Sequence, residues 1–308
     1  MMKPSPILIA GPTASGKSAL ALSLAERIGG TVINADAMQV YRELRILTAR
    51  PSEADERRAP HLLYGHVPSG EAYSAARYAA EAREAIATVE SSGRIPIVVG
   101  GTGLYFKALT EGLSPIPPIP DDIRAHWRRR ASEDGPAALH AILRARDPDM
   151  AERLRPTDPQ RLVRALEVLE ATGRSLAFWH KQPGEPAVHV AAGRAIVVSP
   201  EREELHRRCD ARFDTMMAEG ALNEVRALLA LGLDAELPAM RALGVKSLAR
   251  LIAGEIGTEE AADAAKSETR QYAKRQLTWL RRNMISWLWV NTQETECFSR
   301  KLVEFIRS

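Results

Sequence analysis

Short apolar runs recur along the chain. Between them lie longer stretches in which apolar residues return every three or four positions. Residues 7–10 (Ile-Leu-Ile-Ala), 31–35 (Thr-Val-Ile-Asn-Ala), 95–99 (Ile-Pro-Ile-Val-Val), 194–198 (Arg-Ala-Ile-Val-Val) and 287–290 (Trp-Leu-Trp-Val) read as strands. Unbroken apolar runs of this length suit strands covered on both faces, as in a parallel sheet. After Lys17, Leu20, Leu24 and Ile28 fall on one helical face, and residues 72–92 form an alanine-rich helix stopped by Gly93. Residues 42–58 lack a period and read as a loop with a helical turn, broken at 60–64. A proline-rich exit at 114–120 leads into residues 121–183, which read as wholly helical and arginine-rich. Further helices are expected over 201–219, 258–282 and 297–306, with a turn into another helix at 239–246.

The first apolar run ends in Gly11-Pro12-Thr13-Ala14-Ser15-Gly16-Lys17-Ser18. This is the phosphate-binding loop pattern G-x-x-x-x-G-K-[ST], in its proper place between a strand and a helix. Glycines let several backbone N–H groups converge, the helix N-terminus adds positive potential, Lys17 adds a full charge, and Ser18 offers a hydroxyl suited to Mg²⁺. The motif specifies a diphosphate or triphosphate without saying which molecule carries it. The fold class that follows is α/β: a P-loop NTPase-like parallel sheet with flanking helices and an inserted all-helical domain. The expected division is residues 1–112 and 193–308 for the core and 113–192 for the insertion.

With 308 residues, 45% hydrophobic and 26% charged, the composition is that of an ordinary globular protein with room for a large core. A net charge of +3 is compatible with a nucleic-acid partner and is weak support for one. Two cysteines, Cys209 and Cys297, make neither a disulfide framework nor a zinc spacing. No apolar run approaches a membrane span, and the start runs into the first strand without a signal-peptide core, so a reduced, cytoplasmic setting with no membrane partner is expected.

Other candidate chemistry falls at strand ends, where α/β sheets place their ligands. Asp36 follows the second strand and is suited to hold Mg²⁺ or to act as a general base; a turn or helix-cap role explains it equally well. Gly100-Gly101-Thr102-Gly103 makes a second glycine-rich turn, which can present N–H groups and the Thr102 hydroxyl to a ligand. An ordinary ATPase would end that strand in an acid. Asp158 caps a helix in which Arg161 and Arg164 share a face, open to RNA phosphates or to local ion pairs. Arg208 and Arg212 project together, to clamp a diphosphate or to pair with Glu204. Residues 258–282 interleave basic residues with Tyr272 and Trp279, which suits single-stranded RNA or a packed amphipathic helix. His61 reads as a structural hydrogen-bonding histidine.

Taken in order, residues 11–18, 36–41 (Asp-Ala-Met-Gln-Val-Tyr), 100–105, 158–168 (Asp-Pro-Gln-Arg-Leu-Val-Arg-Ala-Leu-Glu-Val), the Arg208/Arg212 helix, 239–244 (Ala-Met-Arg-Ala-Leu-Gly) and 274–281 (Lys-Arg-Gln-Leu-Thr-Trp-Leu-Arg) resemble the tRNA dimethylallyltransferase (tRNA isopentenyltransferase) family, bacterial type. The resemblance covers nearly the whole chain. It implies that the P-loop, Gly11 to Ser18, holds dimethylallyl diphosphate, with nucleotide (ATP) binding there left open, and that the five-carbon group passes to N6 of the adenosine 3′ of the anticodon. Asp36 would accept the proton. Lys17, Thr13, Arg212, and Ser18 with Mg²⁺ would steady the departing diphosphate, with Arg208 beside them. Thr102 would sit by the tRNA base. Asp36, Ala37, Met38, Gln39, Arg124, Gln160, Arg161, Leu162, Val163 and Arg164 would contact the anticodon stem-loop, and the enzyme would be a monomer. Ala37 stands where a serine is common and Val245 where an aromatic often follows the glycine. The rivals are an adenylate isopentenyltransferase, a small-molecule kinase using ATP, and an RNA-binding protein with a vestigial P-loop.

Overall fold

The computed structural model describes residues 5–190 and 193–291. The closing helix expected at 297–306, and Cys297, lie outside the described residues. The chain makes two compact units, one of residues 1–110 and 187–308 and the other of residues 111–186.

In the first unit, β1 (Ile7–Ala10), β2 (Thr31–Asn34), β3 (His61–Leu62), β4 (Pro96–Gly100), β5 (Ala195–Val198) and β6 (Leu288–Val290) form one sheet ordered β3-β2-β4-β1-β5-β6. Every pairing is parallel. The alternation within each run explains the unbroken apolarity. Leu8, Ala10, Ile33, Val98 and Val197 enter the core on one face, while Ile7, Ile9, Val32, Ile97, Val99 and Ile196 enter the core on the other. The register sets Ala10 opposite Gly100 and Asn34 opposite Val99, so the turns after β1, β2 and β4 leave the same edge of the sheet. β3 is a two-residue strand where the sequence suggested only a break. It is short because Leu63 takes a positive φ directly after it.

The helices of this unit are α1 (Lys17–Ile28), α2 (Glu53–Arg58), α3 (Ala75–Ser91) and α4 (Gly103–Thr110) before the excursion. Serine caps start two of them: Ser52 closes a capping box with Asp55, and Ser74 accepts the Arg77 N–H. The second unit is helical, with α5 (Asp121–Arg146), α6 (Pro148–Arg153), α7 (Pro159–Thr172) and α8 (Leu176–Trp179) packed around Trp127, Leu139, Leu143, Leu162 and Leu166. Gly135-Pro136 kinks α5, with Gly135 at φ 77°. Asp158 caps α7 with Pro159 behind it, as its spacing indicated. Ala187 and Val188 both donate to the Leu109 carbonyl, and Val188 enters the sheet core, so the chain is back in the first unit before residue 192. It continues through α9 (Arg202–Ala218), α10 (Ala221–Ala230), α11 (Val245–Ile252) and α12 (Thr258–Asn283). The sequence reading overlooked α10, whose N-cap Gly220 lies two residues past the end of α9.

Candidate active site

A cavity of about 270 Å³ opens in the first unit at the strand-end edge. Its walls come from the P-loop (Thr13), the turn after β2 (Asp36, Met38), the following loop (Leu47, Thr48), α9 (Cys209, Arg212, Phe213, Met216), the entry to α11 (Arg241, Ala242, Leu243) and α12 (Thr269, Tyr272, Arg275). Cations and hydroxyls share it with a thioether, leucine and phenyl wall. Such a cavity accepts a molecule that is anionic at one end and apolar at the other.

The phosphate end is built from the sequence motif. Gly16, at φ 88°, turns the chain into α1, and Gly11 sits so close to Val198 O that a Cβ would come within 2.7 Å of it. Pro12 and Ser15 are buried, Ser15 with its hydroxyl unpartnered, and Ala14 holds a positive φ of 63°. The Lys17 ammonium donates to Pro12 O at 3.2 Å. Burial lowers its pKa to about 8, against the pull of Asp36 and with the push of Arg212. Arg212 donates to the Thr13 hydroxyl. Burial lowers its pKa as well, opposed by Cys209 and Asp36. Ser18 is exposed on the first turn of α1, and its hydroxyl has no partner among the described residues. Arg208 parts company with Arg212. Its Nε donates to Glu204 at 2.6 Å, and it does not line the cavity; of the two arginines expected to clamp a diphosphate, one is engaged elsewhere.

Asp36 is held by its own turn. Its N–H donates to Asn34 Oδ1 at 2.8 Å, Asn34 Nδ2 donates to Asp36 O and Leu63 O at 3.0 Å each, and Asp36 Oδ1 accepts the Met38 N–H at 3.0 Å. Ala37 N–H donates to the Thr102 hydroxyl at 2.9 Å, which joins the turns after β2 and β4. Gly100 is obligatory at that junction, because a Cβ would lie 2.0 Å from Ala35 O. Tyr64, Tyr105 and Tyr272 surround Asp36. Each is pushed above its ordinary pKa, first by burial and next by the Asp36 charge. Gln39 is partly withdrawn from recognition: its amide donates to Thr48 O and Ala49 O at 2.8 and 2.9 Å.

In the helical unit, α7 turns Gln160, Arg161 and Arg164 outward while Leu162 is fully buried and Val163 packs against the core. Leu162 therefore cannot touch a ligand directly; its place in the expected contact set reflects the core face of the helix. Arg161 pairs with Asp158 at 3.4 Å, Arg164 with Glu167 at 3.5 Å and Arg124 with Asp121 at 3.8 Å. The Arg161 and Arg124 pairs are long and exposed, easily exchanged for phosphate, whereas the partner of Arg164, Glu167, is buried.

Two residues that the sequence left without a role are central here. Asn34 shapes the Asp36 turn. Gln276 on α12 is 6% exposed and bonds both to the P-loop and to the turn after β4. The signal for Gln276 was its four-residue spacing from Tyr272, which puts both on one helical face. The basic run of α12 divides: Lys266 and Arg270 pair with Asp214 and Asp210 of α9, each at 2.6 Å, while Arg275 reaches the cavity. His61 Nδ1 lies 2.8 Å from Ala59 O, a structural contact. Among the described residues no cluster of three or more metal-binding side chains occurs, and no helix is long and apolar enough to cross a membrane.

Comparison with known proteins gives a consistent result. The profile of a family described as IPP transferase matches residues 39–283. A protein from Parvibaculum lavamentivorans named tRNA dimethylallyltransferase is 54% identical over 300 residues, covering 97% of this chain and 95% of its own. One of the same name from Nitrobacter hamburgensis is 55% identical over 290 residues, covering 94% and 92%. Among solved structures, a full-length tRNA isopentenylpyrophosphate transferase from Bacillus halodurans is 30% identical with a TM-score of 0.69, covering 99% of this chain and 97% of its own. A eukaryotic dimethylallyltransferase described as acting on tRNA gives a TM-score of 0.80 at 27% identity, covering 97% and 77%.

Proposed function

The chain belongs to the IPP transferase family, as a transferase that modifies tRNA with a dimethylallyl group, and from that premise we propose how its residues carry the reaction. The donor is dimethylallyl diphosphate and the acceptor is N6 of the adenosine next 3′ to the anticodon. The observation that carries this reading is the single cavity in which Asp36, Thr13 and Arg212 share walls with Met38, Leu47, Phe213 and Met216.

The diphosphate binds against the P-loop N–H groups, the Lys17 ammonium and the Arg212 guanidinium, with the five-carbon group against the apolar wall. The C1–O bond breaks and the electron pair leaves with the diphosphate. Fixed cations and N–H donors lower that barrier because they stand where negative charge grows. N6 is a poor nucleophile, its lone pair drawn into the purine ring. As the N6–C1 bond forms, its proton passes to Asp36, whose other oxygen is already occupied by Met38 N–H. Thr102 lies at the acceptor side and fixes the turn that carries Ala37.

The donor set fits Mg²⁺ of the kind held chiefly by diphosphate oxygens and water: Ser18 supplies one free hydroxyl, and no carboxylate cage is present among the described residues. When bound, the ion supplies charge neutralisation to the leaving group. Residues 111–186 form the anticodon stem-loop clamp through Gln160, Arg161, Arg164 and Arg124, and the target base is drawn out of its stack to reach a buried site. The enzyme acts as a monomer on this reading, and the tRNA substrate supports a cytoplasmic setting.

The test is a transfer assay with radiolabelled dimethylallyl diphosphate, Mg²⁺, unmodified tRNA, and AMP and ATP as parallel acceptors. Label in tRNA alone is expected. Label in free nucleotide, or ATP consumption without transfer, overturns the reading.

A further inference from the structure

We infer that Gln276 is a positioning residue that ties the donor loop to the acceptor turn and so sets the distance across which the allyl group travels. The inference rests on the proposed assignment of donor to the P-loop and acceptor to the Asp36 side.

The two turns come from different strands, β1 and β4, and both are glycine-rich loops. Glycine loops are free to move unless something holds them. Gln276 does so from a third element. Its Oε1 accepts the Thr13 N–H at 2.8 Å, and its Nε2 donates to Gly101 O at 2.9 Å. One planar amide thus sets the spacing of two backbone groups, one from each loop. It is buried, so water offers no ready substitute. The fit is close: a Cβ at Gly101 would lie 2.3 Å from Gln276 Nε2 and 3.4 Å from Asp36 Oδ2. The side chain therefore borders the base without being one.

Both ends of the bridge continue into functional groups. Thr13 also receives the Arg212 guanidinium through its hydroxyl. Beyond Gly101, Thr102 binds the Ala37 N–H, next to Asp36. Tyr272, one turn earlier on α12, lies beside both Thr102 and Gln276. Without the bridge, each substrate still finds its own loop, and what is lost is their mutual placement. Misplacement on the scale of 1 Å costs about 10²-fold in rate.

The measurement compares wild type with Gln276→Met and Gln276→Glu under single-turnover conditions, alongside binding constants for diphosphate and tRNA. Gln276→Met keeps the shape and removes both bonds. Its transfer rate should fall about 10²-fold, with each binding constant within about threefold of wild type. A loosened pair also lets water take the allyl group: C1–O breaks, water oxygen bonds to C1 and loses a proton, and dimethylallyl alcohol forms with diphosphate. The ratio of alcohol to modified tRNA should therefore rise in Gln276→Met. A purely structural role would lower the melting temperature and the amount of active enzyme, leaving that ratio unchanged.

Gln276→Glu gives an independent reading if the methionine variant does not fold. A protonated carboxyl has the donor and acceptor pattern of the amide, whereas an ionised one opposes the Gly101 carbonyl. Asp36 from the β2 turn, Lys17 from α1, Arg212 from α9 and Tyr272 on α12 are the charged and titratable groups around it. The rate of Gln276→Glu relative to wild type at the same pH should rise as pH falls from about 8 to about 6. A flat ratio, or wild-type rate and product ratio in Gln276→Met, overturns the inference. Wild-type transfer to tRNA in the same experiment tests the assigned function separately.

Discussion

Replacing Asp36 by Asn separates chemistry from binding. The asparagine carbonyl can still accept the Met38 N–H, and the backbone bonds to Asn34 do not involve the altered atoms, so the turn keeps its shape. What is lost is the lone pair proposed to take the N6 proton. Positioned general bases contribute about 10²- to 10⁴-fold, or about 2.7 to 5.5 kcal/mol of barrier at 1.36 kcal/mol per decade. The ground state loses at most one charge-assisted contact, worth about 1.5–3 kcal/mol, and the other anticodon contacts are untouched. Single-turnover transfer with saturating substrates should therefore drop by about 10²- to 10⁴-fold, while tRNA affinity falls by at most about 10- to 150-fold. The variant carries an internal check. The Asp36 charge raises the pKa of Lys17, which stands at about 8 with Asp36 present. In Asp36→Asn the loss of diphosphate affinity on the alkaline side should begin at lower pH. A large affinity loss with a near-normal transfer rate refutes the base role. An unmoved alkaline limb refutes the electrostatic contact between Asp36 and Lys17.

Lys17 itself makes diphosphate binding pH-dependent: its folded pKa of about 8 lies below the ordinary 10.5, so affinity should fall as pH rises through about 8, and calorimetry from pH 7 to 10 would read this out. Between those two values the unfolded chain holds a proton that the folded chain has released, so this group makes the ligand-free protein more stable with rising pH, checked by denaturant melts. Arg161→Ala with Arg164→Ala should weaken tRNA binding and flatten its log–log salt slope by about 1 to 2, and an unchanged slope excludes phosphate contact. Leu162→Ala should cost about 2–5 kcal/mol of stability in the helical unit, seen in thermal melts, with tRNA affinity recovering wherever that unit is folded. Gly100→Ala should destabilise the sheet edge, since its Cβ would lie 2.0 Å from Ala35 O; an unchanged melting temperature would disprove that contact.

Much of this was legible in the chain because the strands are apolar on both faces and the P-loop is a local motif. The β1–P-loop–α1 passage needs only contiguous residues, and so did the Asp158 cap. What escaped depended on distant partners. β3 is two residues long and exists because β2 is beside it, pairing Val32 with His61 and Ile33 with Leu62. Arg208 and Arg212 look equivalent four residues apart, yet Glu204 captures one and Thr13 the other. Leu162 lies inside a recognition motif, and only the packing of α7 on α5 reveals that it faces inward. Beyond its spacing from Tyr272, Gln276 carried no signal, because both its partners are backbone groups, 263 and 175 residues away along the chain.

That last separation bears on how one phosphate loop serves a reaction other than phosphoryl transfer. An ATPase places an acid after the strand beside the P-loop, where it holds the metal. Here that strand, β4, ends in Gly100 and is followed by Gly101. Any side chain at Gly100 would strike Ala35, and one at Gly101 would strike Gln276. The space that an acid would fill is occupied by the β2 turn and by an amide from α12. The carboxylate stands one strand over, at Asp36, where it lines the cavity together with Arg212 and an apolar wall. On the proposed assignment, a carboxylate there takes a proton from the acceptor instead of organising a metal on a γ-phosphate. The glycines of β4 and the bridge of Gln276 are two halves of one arrangement. Placing an acid at Gly101 should therefore abolish transfer without creating an ATPase, which the release of inorganic phosphate from ATP would measure. Appearance of ATP hydrolysis in Gly101→Asp would show instead that the phosphate loop supports phosphoryl transfer once an acid follows β4.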